Sequence, residues 1–310
     1  MRPQRHPSSP FLGPHRLTVP SLACLALLLP SAVRADREVD RTLPAAARAT
    51  VEIENTSGRV EVTGWDREEV RVTGTIGDNV DELVVEGGRN HIVIEVDVPD
   101  RRGWGHRDAD ADLEIFVPRE ARVEVEAVSA SIRVEDFQGR LEAESVSGSI
   151  SASGSLESAD LETVSGSIRL RGANTRTVAE SVSGSIDLDG VRERVEASTV
   201  SGTIEVEAGA IERGDLESVS GTVTLECELT RGARLDMSSH SGNVSLYLPA
   251  DVSASFEAST FSGRIENDFG AEAERTSRWV PSKSLEFSTG SGDAEVTLGT
   301  FSGSVRIRRR

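Results

Sequence analysis

Apolar and polar positions alternate with a period of two along almost the whole chain. Val182, Gly184, Ile186 and Leu188 take turns with Ser183, Ser185, Asp187 and Asp189. The same beat carries Val164, Ile168 and Leu170, then Val200, Ile204 and Val206. A period of two predicts β-strands with one buried face. A second strand-like run precedes each of these, as in Leu141-Glu142-Ala143, Val195-Glu196-Ala197 and Leu216-Glu217-Ser218, and turn clusters such as Gly172-Ala173-Asn174 separate the runs. No helical periodicity interrupts them.

The alternation is itself repeated. Val-Ser-Gly-Ser-Ile stands at 146–150, 164–168 and 182–186, and relaxes to Val-Ser-Gly-Thr-Ile at 200–204 and Val-Ser-Gly-Thr-Val at 219–223. Diverged copies follow at 240–244, 261–265 and 301–305, and Val-Ser-Ala-Ser-Ile at 128–132 comes before. Ser129, Ser147, Ser165, Ser183 and Ser201 are each 18 residues apart; Ser220, Ser241 and Ser262 follow at 19, 21 and 21. A unit of 18–21 residues holds two or three short strands and cannot bury its own apolar face, so it must stack on its neighbours. The expected fold is all-β: a parallel β-solenoid with one motif per turn. An antiparallel sandwich also has regular turns, but it does not demand the same residue in the same slot of every turn.

Stacking assigns roles to the motif. Ser147, Gly148 and Ile150, with Ser165, Gly166 and Ile168, Ser183, Gly184 and Ile186, and Ser201, Gly202 and Ile204, form columns, the Ile members inside. That inner column extends through Val223, Val244, Ile265 and Val305. The motif glycine marks either a bend with positive φ or an interior too crowded for a side chain.

Three segments are expected: a leader at 1–35, a β-rich cap with early irregular coils at 36–127, and the repeat region at 128–310. In the leader, Arg2, Arg5 and Arg16 precede the apolar run Leu22–Leu29, and Val33-Arg34-Ala35 supplies small residues at the exit. That order describes a secretory signal peptide, and the run is too short to span a bilayer. In the cap, Val51–Glu54, Gly58–Val62, Val70–Val72, His91–Val96 and Leu113–Val117 all alternate. Arg306, Arg308, Arg309 and Arg310 place charge on the last strand, where it would block edge-to-edge association.

Composition narrows the function. The chain of 310 residues has 52 acidic and 34 basic side chains. Loss of residues 1–35 removes four arginines and no acid, so 275 residues would carry 30 − 52 = −22. Such a surface excludes nucleic acid, which requires a basic footprint, and favours cations. Aromatic residues make up only 4%, so the core is thin and aliphatic. Cys227 is the sole cysteine after the leader, a buried thiol in a turn slot rather than half of a disulfide.

The Ser-Gly-Ser/Thr-Ile ladder, with Gly58-Arg59-Val60-Glu61-Val62-Thr63-Gly64-Trp65-Asp66 and the strand ending Phe116-Val117-Pro118, resembles the bacterial putative-adhesin family of β-strand-repeat proteins, a domain of unknown function. The resemblance covers roughly 38–310. It implies a β-solenoid exported to the cell envelope, at times near envelope-stress regulators, and brings no catalytic residues.

Chemistry is sparse. His91, His106 and His240 are scattered, and His240 occupies the slot that valine holds in other copies. No G-x-S-x-G elbow occurs. Asp108, Asp110 and Asp112 alternate in a loop as weak Ca²⁺ candidates, but the glycine and distal glutamate of a calcium loop are missing; a solvated loop is the plainer reading, and neither metal nor cofactor is expected. Charge ladders are more distinctive. Arg169 and Asp187, and Arg171 and Asp189, pair across coils, whereas Asp187 over Glu205, and Asp189 over Glu207 and Glu226, stack carboxylates. That acidic face is the candidate binding face. The expected protein is a periplasmic, envelope-associated or secreted non-enzymatic module for binding or scaffolding, with an envelope protein or a polysaccharide as partner. A carbohydrate-active β-helix enzyme and an envelope-stress regulatory partner are the competing readings.

Overall fold

A computed structural model describes residues 37–78, 80–97, 110–276 and 281–310. The expected leader, Asp108, His106 and the pair Trp279-Val280 lie outside them. The described strands join into a sheet that winds as a parallel β-solenoid. Each regular coil contributes two segments. One precedes the motif, as in 140–145, 158–163, 176–181, 194–199 and 213–218; the other follows it, as in 150–153, 168–171, 186–189 and 204–207. Both stack in parallel, residue over residue: Ile150, Ile168, Ile186 and Ile204 lie in one file, and so do Ser183, Ser201, Ser220 and Ser241. The Ile/Val file is buried to 0–1% exposure except at Ile265 in the last coil, which is partly buried; each fully buried member contributes on the order of 1.5–3 kcal/mol.

The varying repeat length is absorbed in one corner. Between the post-motif and pre-motif segments lie residues 190–193 in one coil, 208–212 in the next and 227–233 in the third, which is four, five and seven residues for spacings of 18, 19 and 21. The motif corner never changes length. Crowding explains why. A Cβ on Gly184 would lie 1.9 Å from the carbonyl oxygen of Gly166, and one on Gly202 would lie 2.0 Å from that of Gly184. Neither glycine has a positive φ. Of the two reasons a glycine could be required, contact with the coil beneath is the operative one.

The alternation breaks at this corner, which corrects the placement of Val182 on the buried face. Ser181 points inward, Val182 and Ser183 both point outward, and Gly184 turns in again. Two successive outward residues shift the phase and turn the chain from one face to the other.

The terminal coils do not stack in chain order. The coil carrying 295–300 and Val305–Arg309 is inserted between the coil of 234–248 and that of 254–267, so the inner file runs Val244, Val305, Ile265. At the other end Thr50–Trp65 lies between strand Arg122–Phe137 and the strands His91–Asp97 and Ala111–Pro118. The expected sequential column is thus exchanged at its last step. The terminal arginines consequently do not guard an open edge: Arg308 pairs with Asp268 at 2.9 Å and with Glu266, and Arg310 reaches Glu226 at 3.2 Å and Glu228 at 2.8 Å.

Antiparallel strands close both ends. Glu82–Gly88 pairs with His91–Asp97, and Arg37–Pro44 pairs with Glu69–Ile76, which in turn pairs with Ala111–Pro118. At the far end Lys283–Thr289 runs against Ala254–Ser262. Two aromatic pairs lie near these caps: Trp65 stacks on Phe116 at 5.2 Å, and Phe256 on Phe287 at 4.5 Å.

Candidate binding groove

The motif corner builds the most distinctive surface. Since two successive residues point outward there, the motif valine of every coil faces solvent. Val128, Val146, Val164, Val182, Val200 and Val219 are 45–50% exposed and stack in one file. Rungs about 4.8 Å apart make this apolar stripe about 24 Å long over its five intervals. The file continues as His240, Phe301 and Phe261, whose rings stack nearly parallel at 5.1 and 4.8 Å. His240 is therefore a ring in this stack.

Two residues before every valine of the file but Val200 stands an outward glutamate. Glu54, Glu126, Glu144, Glu162 and Glu180 are successive partners in register, followed by Ser198 and Glu217. Valine file and glutamate file line a groove of about 670 Å³ that contains no basic side chain among its lining residues. Burial, and after it the neighbouring Glu144 and Glu180, pushes the Glu162 carboxyl above its ordinary value; Glu54 is raised by burial, then by Glu95 and Glu126. Among the described residues no ion pair relieves either.

Between the two files a hydroxyl holds the corner from inside. Thr163 Oγ1 donates to the Gly148 carbonyl at 3.1 Å, Ser239 to Gly221 at 3.1 Å, Thr300 to Gly242 at 2.9 Å and Thr260 to Gly303 at 3.1 Å. Each hydroxyl reaches down one coil to the motif glycine there. Ser218 alone in this file leaves its hydroxyl without a partner. These residues directly precede the motif, and reading it from the valine onward missed them. A Ser or Thr directly before the motif from the second copy onward, at 145, 163, 181, 199, 218, 239, 260 and 300, was the available signal.

The residues singled out from sequence lie elsewhere. Asp187 and Glu205, and Asp189, Glu207 and Glu226, are brought together in register on the post-motif face. Arg169 meets Asp187 at 3.0 Å as expected, while Arg171 faces Asp189 with no ion pair between them. Glu226 is engaged by Arg310, so this column is partly neutralised by the chain itself. Asp110 accepts a hydrogen bond from Ser57 at 2.5 Å and Asp112 sits in a strand opposite Arg59. Among the described residues no three His, Cys, Asp or Glu side chains converge on a point where a metal ion would sit. Cys227 is buried in the variable corner, and burial pushes its thiol up to about 12.

The family model Toastrack DUF4097 matches residues 48–308. The chain belongs to the Toastrack family. Its matched span covers the whole stack from the Thr50–Trp65 coil to the inserted terminal coil, and takes in the groove. No curated protein matches this Toastrack chain. Solved structures similar to it include a putative adhesin from Bacteroides fragilis (13% identity, 88% of this chain and 98% of the other, TM-score 0.47). A putative cell adhesion protein from Clostridium sporogenes (11%, 89% and 100%, TM-score 0.26) and a putative lipid binding protein from Parabacteroides distasonis (15%, 87% and 96%, TM-score 0.39) are further examples. Among the described residues, no helix of the Toastrack chain is long and apolar enough to cross a membrane.

Proposed function

We propose that this Toastrack chain is an exported, non-catalytic binding or scaffolding module of the cell envelope, and that its contact surface is the groove along the motif corner. The carrying observation is the file Val128–Val219. An apolar side chain left about half exposed at the same position of six successive coils is a continuous stripe rather than scattered surface residues, and such stripes rimmed by polar groups mark interaction sites. Export rests on the basic and apolar order of residues 1–35. The acidic post-motif column is a weaker candidate, because Arg169 and Arg310 occupy two of its members.

The test compares envelope-extract components retained by immobilised wild type, by a Val146→Ser/Val164→Ser/Val182→Ser variant and by an Asp187→Asn/Glu205→Gln variant, all with matching thermal melts. Loss of retained material with the first variant alone is the expected result. Equal retention by all three would remove the groove from the function.

A further inference from the structure

We propose that the groove docks a basic amphipathic α-helix, laid along the solenoid axis with its apolar stripe on the valine file and its cationic flank against the glutamate file. This deepens the groove reading above and rests on it.

Charge complementarity selects the sign of the partner. The wall presents Glu54, Glu126, Glu144, Glu162, Glu180 and Glu217, and no basic residue lines the groove to answer them. Lys or Arg side chains would fill that role, and they would also relieve the like-charge repulsion that adds to burial in raising Glu162 and Glu54. The charge lies on one side only. Beyond the valines stand the exposed motif serines, uncharged, so the partner needs a cationic flank on one side of its apolar stripe and a neutral polar one on the other.

Backbone chemistry selects the helix. A peptide laid along the groove crosses the strands at right angles, and the corner has no free ladder to offer. Val146 N–H is given to Ala127 O at 3.1 Å, Ser147 to Val128 at 2.8 Å, Val164 to Ser145 at 3.1 Å and Ser165 to Val146 at 2.9 Å. An extended segment would bring unpaired N–H and C=O groups onto an apolar stripe, at a cost. A helix satisfies its own. Its pitch of about 5.4 Å lies near the rung spacing of about 4.8 Å, so the apolar stripe of about 16 residues, about four turns, runs the length of the valine file. A second copy of this chain does not fit the description, since its formal charge is −18 and its described residues contain no α-helix.

The probe is a fluorescein-labelled 18-residue peptide with leucines at i, i+3, i+4 and i+7 and lysines along one flank. It is titrated onto the full chain and followed by anisotropy and circular dichroism. Controls are a scrambled peptide of the same composition and one with every Lys replaced by Glu. Wild type should bind the amphipathic peptide at least tenfold more tightly than the scrambled one, with helical signal gained on binding and no binding of the acidic peptide. Glu144→Gln/Glu162→Gln/Glu180→Gln and Val146→Ser/Val164→Ser/Val182→Ser should each weaken binding tenfold or more; Asp187→Asn/Glu205→Gln should stay within twofold. Equal affinity for the scrambled peptide, no gain of helix, or equal weakening by the post-motif variant would overturn the proposal. If envelope capture depends on the groove while the helical probe does not bind, the groove stands and the helix falls; if neither depends on it, both fall.

Discussion

The motif glycine and the thiol beside the variable corner show how much a single residue carries in a stack of identical rungs. Gly184 sits with its α-carbon against the carbonyl of the coil beneath, so a methyl group there meets backbone that cannot yield without opening both coils. Gly184→Ala should lower stability by about 3 kcal/mol, whereas Gly88→Ala, with nothing within 4 Å, should be nearly silent; chemical denaturation of the two variants checks this, and equal midpoints would contradict it. Cys227 gives a complementary readout. Because only the thiolate is nucleophilic and burial holds this thiol up near 12, iodoacetamide at pH 8 should leave Cys227 unmodified in the native protein and alkylate it in denaturant. Rapid labelling of native protein would mean that the corner is open. The repeated glycine was plain in the sequence, but which of its two possible causes applied was not: crowding depends on how near the coil beneath lies.

At the scale of the element, the glutamate wall should set the pH dependence. Glu162 and Glu54 titrate above their ordinary values in the folded chain because burial and like-charged neighbours disfavour the ionised form. The native state therefore takes up protons before the unfolded one does, and stability rises as pH falls from neutral, until the ordinary value of 4.5 is reached. Asp40, Glu157 and Asp268 behave oppositely: arginine partners hold them below their ordinary values, and their contribution disappears in more acidic solution. Thermal melts should accordingly peak on the mildly acidic side, and Glu162→Gln should flatten the rise from pH 7; a melting temperature falling steadily from pH 7 to 5 would contradict the wall. The strands were legible from alternation alone, yet the groove was not. A strict period of two places Val182 inside, and only the two outward residues at the corner, Val182 and Ser183, turn that valine and its copies into a surface stripe. The hydroxyl of Ser181 or Thr163 that pins the corner is equally silent in a pattern read from the valine onward.

At the scale of the molecule, coils that repeat in register make the stack modular. Deleting residues 166–183, one complete coil, joins Ser165 to Gly184 and leaves every file continuous, so the shortened protein should fold with a modestly lower melting temperature; deleting 166–174 breaks the register and should give no folded product. Circular dichroism and soluble yield separate these outcomes. The solenoid and its motif files followed from spacing, but the exchange of terminal coils did not. Phe301-Ser-Gly reads as the next copy after Phe261-Ser-Gly, and nothing local in either shows that the later copy wedges beneath the earlier. Paired cysteines test the arrangement most directly. Adjacent rungs lie about 4.8 Å apart, within disulfide reach, and the test uses a Cys24→Ala/Cys227→Ala background. Ser241→Cys with Ser302→Cys should oxidise to a single intramolecular disulfide, and Ser241→Cys with Ser262→Cys, one rung further apart, should remain reduced. Cross-linking of the second pair and not the first would contradict the stack.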